Sequence, residues 1–130
     1  MIDLVVVGYQ FNDLFKTCLE SISSTVTIPY RLIIETGGSI AENVNRGFKR
    51  VKSEFFGFIQ SDHEFIQRGW LKILLDKIRK EGGNYIGGKQ ILPDGTVHCE
   101  GLYFSVDNKR FNVEFVKNPP LKYHCVPLLI

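Results

Sequence analysis

An uninterrupted apolar run, Leu4-Val5-Val6-Val7, lies near the start of the chain and ends at Gly8. A short, β-branched run of this kind predicts a strand buried on both faces, as in a parallel sheet. Asn12 is placed to cap the next segment, in which Leu14, Phe15, Cys18, Leu19 and Ile22 recur at helical spacing on one face, expected to point inward. Ser23-Ser24-Thr25 and Pro29 break that helix, and Arg31-Leu32-Ile33-Ile34-Glu35 predicts a second strand stopped by Gly37-Gly38. Ser39 followed by Glu42 has the pattern of a capping box and opens a second helix, with Val44, Phe48 and Val51 expected to point inward. A third strand, Phe55 to Gln60, runs into Ser61-Asp62. A third helix then carries Trp70, Leu71, Leu74, Leu75 and Ile78 on one stripe, and Gly82-Gly83 closes it.

Strand and helix alternating three times is a βαβ series, so the first 80 or so residues are expected to form a parallel sheet. From Tyr85 the period changes. Ile86 to Leu92, Thr96 to Val106 and Arg110 to Val116 read as strands, with Asp94-Gly95 and Asp107-Asn108 as hairpin turns between them. Tyr123 to Ile130 is apolar enough for one more. The expected fold class is α/β: a mostly parallel sheet within a single domain, residues 1–130, carrying a C-terminal antiparallel annex. The exposed sheet edges expected at that end would permit a homodimer.

With 44% hydrophobic and 23% charged residues the composition is that of a globular chain, which sets aside disorder and fibrous repeats. Sixteen Lys and Arg against fourteen Asp and Glu give a net charge of +2, too mild for a nucleic-acid footprint. Lys49, Arg50 and Lys52 read as a solvated helix face. No apolar stretch approaches the roughly 20 residues of a membrane span, and Met1-Ile2-Asp3-Leu4 lacks the features of a signal peptide, so the expected location is the cytoplasm. Three cysteines, Cys18, Cys99 and Cys125, show no metal-ligand spacing and read as small apolar residues in a reducing compartment. A Cys99–Cys125 disulfide is the alternative.

In an open parallel sheet, ligands bind beyond the carboxyl ends of the strands. Those ends carry Gly8-Tyr9-Gln10, Glu35-Thr36-Gly37-Gly38 and Ser61-Asp62-His63-Glu64. Gly37-Gly38 does not match the dinucleotide fingerprint, and no Gly-Lys-Ser/Thr phosphate loop occurs. A phosphorylated ligand would therefore need another counter-charge. Asp62 and Glu64, one residue apart on a turn after a buried strand, can both aim at one hard divalent cation such as Mg²⁺ or Mn²⁺. The alternative is a solvated turn in which Asp62 caps the following helix.

Taken together these segments resemble a glycosyltransferase of the GT-A fold, family 2 type, over roughly residues 2 to 105. Val-Val-Val-Gly-Tyr and the later Cys-Leu-Glu-Ser-Ile resemble that family's first strand and helix. Leu-Ile-Ile-Glu-Thr-Gly-Gly-Ser resembles its second-strand motif, and Asn45-Arg46-Gly47 the Asn-x-Gly of the next helix. Phe58 to Glu64 followed by Gly69-Trp70-Leu71 resembles the "DxD" strand and its Gly-Trp-Leu. Leu92 to His98 is similar to the Asp-Gly-x-x-x-His segment of rhamnosyltransferase-like members. The resemblance implies a three-layer, Rossmann-like domain that binds a nucleotide-diphosphate sugar of the UDP or GDP type. Glu35 would contact the base or ribose, Gly8 and Tyr9 would line the base pocket, and Gly37, Asn43 and Asn45 would reach the same edge. Asp62 would contact the ribose or the metal, and Glu64 would be the main protein ligand of Mn²⁺ or Mg²⁺. His124 would complete the metal site, and Asp62 or His98 would serve as the catalytic base for an acceptor hydroxyl.

Departures from the family pattern are specific. Glu35 stands where an Asp is usual, Glu64 where the acidic motif ends in Asp, and Val44 where many relatives place an Arg before the Asn. Family members also continue into an acceptor-binding segment with an acidic base. The late acid Glu114, in what reads as a strand, has no motif around it. The acceptor half is therefore expected to be missing. Two functions follow: a small metal-dependent glycosyltransferase, or a catalytically incomplete nucleotide-sugar-binding module that works with a partner chain. A nucleotidyltransferase would want a Gly-rich basic loop where Gln10-Phe11-Asn12-Asp13 stands. Trp70 reads as core, with a sugar contact as its alternative.

Overall fold

The computed structural model describes residues 1–82, 86–99, 101–107, 110–116 and 126–129. The chain divides into two compact units, Met1–Lys72 and Ile73–Ile130. In the first, β1 (Ile2–Val7), α1 (Asp13–Thr25), β2 (Tyr30–Glu35), α2 (Ile40–Lys49) and β3 (Phe56–Gln60) build a parallel sheet with strand order β2-β1-β3. Val7 is level with Glu35 on one side and Gln60 on the other, so all three strands finish at one edge. The crossovers from β1 to β2 and from β2 to β3 travel in opposite directions. Right-handed connections then place α1 and α2 on opposite faces.

The packing bears this out. Every residue of β1 is buried. On one face Val5, Val7 and Ile33 form a cluster against which Val44 and Val51 pack. α2 comes so close that a Cβ on Gly47 would overlap Cγ1 of Val5. On the other side α1 presents Phe15, Cys18 and Ile22, all fully buried. The Phe15 ring lies 2.9 Å from where a Cβ on Gly8 would be, and the Cys18 thiol approaches the Gln60 carbonyl at 4.0 Å. Asn12 caps α1 by accepting from the Phe15 N–H at 3.1 Å, and Ser39 and Glu42 form the expected capping box on α2.

Two inward expectations are corrected. Phe48 is 57% exposed, because the inward stripe of α2 runs through Asn43, Val44 and Gly47 and leaves Phe48 at its margin, edge-on to Phe56 at 5.2 Å. Leu14 is exposed because α1 turns Phe15, Cys18 and Ile22 inward instead.

β1 begins at Ile2, earlier than the apolar run, because the charge on Asp3 is matched inside the sheet. Its carboxylate accepts Nε and Nη2 of Arg31 at 2.7 and 2.8 Å, and the N–H groups of Lys52 and Ser53 at 2.7 and 3.1 Å. The Arg31 guanidinium, and next the Lys52 N–H, hold this carboxyl well below the usual carboxylate range.

After β3 the chain returns to α1. Ser21 Oγ accepts the Phe65 N–H at 3.0 Å, Thr25 Oγ1 accepts the Trp70 indole N–H at 3.0 Å, and the Gly69 N–H donates to the Thr25 carbonyl at 2.7 Å. Trp70 is buried and stacks on Phe65 with centroids 4.1 Å apart, in keeping with its reading as core. It opens α3 (Trp70–Glu81), along which Leu71 and Ile78 are buried and Leu74 and Leu75 half-buried.

In the second unit β4 (Gly88–Ile91) pairs antiparallel with β5 (Val97–Cys99) and parallel with β8 (Val126–Leu129). The Asp94-Gly95 turn forms as expected: the Leu92 N–H donates to the Thr96 carbonyl at 2.8 Å, and Gly95 takes the left-handed φ of 85° that favours glycine. β6 (Gly101–Asp107) and β7 (Arg110–Val116) form an antiparallel ribbon. The single strand expected over Thr96 to Val106 is thus two strands. Among the described residues no helix is long and apolar enough to cross a membrane.

Candidate functional site

The carboxyl edge of the parallel sheet is stitched together by backbone hydrogen bonds. The Gly8 N–H donates to the Glu35 carbonyl at 3.2 Å, the Ser61 N–H to the Val7 carbonyl at 2.8 Å, and the Gly37 N–H to the Tyr9 carbonyl at 3.1 Å. Gly8 is bare for a reason, since a Cβ there would overlap the Ser61 hydroxyl oxygen. β1 and β3 are neighbours in the sheet, so their carboxyl ends lie side by side at the edge where open α/β sheets place ligands. Gly8 and Tyr9 follow the end of β1, and Ser61 and Asp62 follow the end of β3.

Asp62 projects into solvent, its side chain 65% exposed, with Oδ1 at 2.9 Å from Nδ1 of His63. The same ring nitrogen lies 3.2 Å from the Gln60 carbonyl. Glu64 is exposed and has no polar partner among the described residues. Asp62 does not cap α3, which starts eight residues later at Trp70. Among the described residues no three His, Cys, Asp or Glu side chains converge. Two exposed carboxylates on one turn are hard oxygen donors of the number Mg²⁺ or Mn²⁺ takes from protein when diphosphate oxygens and water complete its shell. The donor set therefore fits such an ion.

Glu35 and the glycine loop are built differently from the expectation. Both carboxylate oxygens of Glu35 are engaged: Oε2 accepts Arg46 Nε at 3.1 Å and Oε1 accepts Arg50 Nη1 at 2.6 Å. These arginines, Arg50 first, lower the Glu35 pKa against the opposing effect of burial. Arg46 Nη2 also donates to the Thr36 carbonyl at 2.8 Å and to Asn43 Oδ1. Asn43 is wholly buried. Its Nδ2 donates to the carbonyls of Gly8 and Gly38, both at 3.1 Å, and its Oδ1 accepts the Gly38 N–H at 3.1 Å. Gly37 sits at φ 86° with open space around it. The N–H groups of Gly37, Gly38 and Ser39 are all spent on Tyr9, Asn43 and Glu42, so this loop offers no ready phosphate cradle. Asn45 is exposed on α2.

The first unit thus brings together Gly8, Tyr9, Glu35, Gly37 and Asn43 by direct contacts, and sets Asp62 and Glu64 on the turn after β3. His98 lies on β5 in the second unit. His124 falls outside the described residues, as does any bond between Cys99 and Cys125. Cys18 is buried, and burial, then the charge of Asp62, push its thiol up to about 11, which keeps it un-ionised and unreactive at neutral pH. Arg46, Arg50 and His63 are the residues that motif reading passed over. The four-residue spacing of the two arginines on one helix was the available signal, and Arg50 proves to be more than solvated surface.

No protein-family model, no curated protein and no solved structure matches this chain.

Proposed function

We propose that this chain is a small metal-dependent glycosyltransferase of the GT-A, family 2 type, transferring a sugar from a UDP- or GDP-linked donor to a hydroxyl acceptor. The observation that supports it is the pair of exposed carboxylates, Asp62 and Glu64, on the turn after β3 beside the Gly8-Tyr9 end of β1. In this reading Asp62 and Glu64 hold Mn²⁺ or Mg²⁺, and Gly8 and Tyr9 line the nucleotide. The bound cation supplies positive charge to the departing diphosphate. Asn43, and Glu35 with its arginines, act from behind by fixing the loops that carry those groups. Within the first unit, Asp62 is the group that takes the acceptor proton.

The test is calorimetric titration with UDP and GDP, each with and without Mn²⁺, followed by transfer and hydrolysis assays with the matching sugar nucleotides. Expected is metal-dependent binding on the order of micromolar, lost in Asp62→Ala and Glu64→Ala, with turnover lost in Glu64→Ala. Binding without any turnover would mark the chain as the nucleotide-sugar-binding module instead. Binding of neither nucleotide overturns both.

A further inference from the structure

The turn that carries the two exposed carboxylates is fastened at both ends. The Ser61 N–H donates to the Val7 carbonyl at 2.8 Å, and the Phe65 N–H to Ser21 Oγ at 3.0 Å. Ser21 is itself buried on α1, where its hydroxyl donates to the Cys18 carbonyl at 2.7 Å. Between these ties lie Asp62, His63 and Glu64. The His63 N–H donates to the Gln60 carbonyl at 3.3 Å, and the His63 ring folds back toward the same oxygen, with Nδ1 at 3.2 Å. Nδ1 also lies 2.9 Å from Oδ1 of Asp62. The two side chains differ in how they meet the solvent: the ring is 25% exposed and the carboxylate 65%.

A carbonyl oxygen and an ionised carboxylate can only accept hydrogen bonds, so the ring nitrogen that faces both carries the hydrogen. In the neutral ring the lone pair is then on Nε2, across the ring from Asp62. While it holds that carboxylate, the imidazole cannot ligate an ion through Nδ1. Oδ2 of Asp62 has no polar partner among the described residues. An exposed carboxylate that rotates freely loses that freedom when it binds a cation, and a neighbour that fixes it beforehand removes part of the cost. Ligating carboxylates are commonly oriented in this way by an outer hydrogen-bond donor. Resting on the metal-dependent reading above, we propose that His63 is a positioning residue for the divalent cation. Its Nδ1–H ties Oδ1 of Asp62 to the end of β3 and so presents Oδ2 to the ion.

The experiment measures Mn²⁺ binding to the whole chain, alone and with UDP or GDP added, at about pH 8, where imidazoles are ordinarily neutral. Electron paramagnetic resonance counts the free Mn²⁺ against protein-free mixtures for the wild type, Asp62→Ala, His63→Ala, His63→Gln and His63→Asn. An asparagine amide can place an N–H where Nδ1 stands, whereas glutamine reaches to the position of Nε2, and circular dichroism confirms that each variant is folded. The expected result is a loss of about tenfold in Mn²⁺ affinity for Ala and Gln, with recovery in Asn. A merely structural role would not separate Asn from Gln. Nitrogen NMR of the wild-type imidazoles, with His63→Asn identifying the signal, should show the hydrogen on Nδ1 both with and without Mg²⁺. Affinity unchanged in His63→Ala overturns the inference, as does an Asn variant as weak as Ala, or a hydrogen found on Nε2. A wild type that takes up no Mn²⁺ under any of these conditions, or no more than Asp62→Ala, sinks the metal reading and the inference with it. Binding that is lost in Asp62→Ala but ignores His63 sinks the positioning alone.

Discussion

The side-chain amide of Asn43, buried in the first turns of α2, donates to the carbonyl oxygen of Gly8 at the end of β1 across 3.1 Å. That bond ties the loop after β1 to the start of α2. The same side chain also brackets Gly38 from both sides, so one residue satisfies three backbone groups that no strand or helix partner reaches.

Replacing Asn43 by Leu keeps the number and branching of the side-chain heavy atoms and removes all three bonds. Buried backbone groups left without partners cost about 1–3 kcal/mol, so Asn43→Leu is expected to lower the unfolding free energy by that amount, read as a lower urea midpoint at unchanged m-value. Nucleotide affinity should fall with it, because the Gly8-Tyr9 loop loses its tether. An Asn43→Leu variant as stable as the wild type would show that these bonds carry nothing.

Glu35 and Arg50 offer a cleaner energetic test. Their contact is short at 2.6 Å, but the arginine side chain is more than half exposed, so solvent screens the pair. A double-mutant cycle with Glu35→Gln and Arg50→Ala is expected to give a coupling of about 0.5–1 kcal/mol that shrinks as salt rises. The measurement is urea denaturation of the four proteins at low and high ionic strength. A coupling that ignored salt would mean the pair is more shielded than its exposure indicates.

What was legible in the sequence was local, and what was not depended on chain crossings. Asn12 and Ser39 announce their helices because a cap reaches only three residues ahead. Asp62 and Glu64 could be singled out because they directly follow a strand, and strand ends are where such sheets bind ligands. Asp3 and Arg31 meet across 28 positions, and Asn43 and Gly8 across 35, so both contacts exist only once register and crossover are set. Glu35 illustrates the difference: its position at the strand end was readable, while the two arginines that occupy its oxygens come from the next helix. Phe48 failed for a smaller reason, the rotation of α2 about its own axis.

Acid should destabilise the first unit in a predictable window. Asp3 and Glu35 are both held below their ordinary values of 3.8 and 4.5 by their arginines. A depressed carboxyl stays ionised in the folded chain while the unfolded chain takes up the proton. Its stabilisation is therefore complete above the unfolded pKa and is lost progressively as pH falls toward the folded one. Thermal melts are expected to be flat above about pH 5 and to drop steeply below it. Asp3→Asn should lower the melting temperature at pH 7 and flatten the acid limb. An acid limb of the same steepness in Asp3→Asn would remove Asp3 from the explanation.

The closest approach of helix and sheet gives the last test. α2 lies so near β1 that a methyl group on Gly47 would overlap Cγ1 of Val5, a buried residue of the central strand. Neither side can move freely, because Val5 sits in the β1 ladder and α2 is tied to the strand ends through Asn43. Gly47→Ala should cost about 1–3 kcal/mol as overpacking, even though alanine is the better helix former by up to about 1 kcal/mol. Val5→Ala should cost a comparable amount as a cavity, about 0.8 kcal/mol for each methyl-sized group removed plus the void. Combined, the new alanine methyl at position 47 occupies space that Val5 vacates, so the double variant should be less destabilised than the sum, by about 1 kcal/mol. Chemical denaturation of the three variants and the wild type measures the difference. Strict additivity would mean that α2 shifts away from the sheet to admit the methyl group, and the contact between Gly47 and Val5 would then not be what sets the helix–sheet distance.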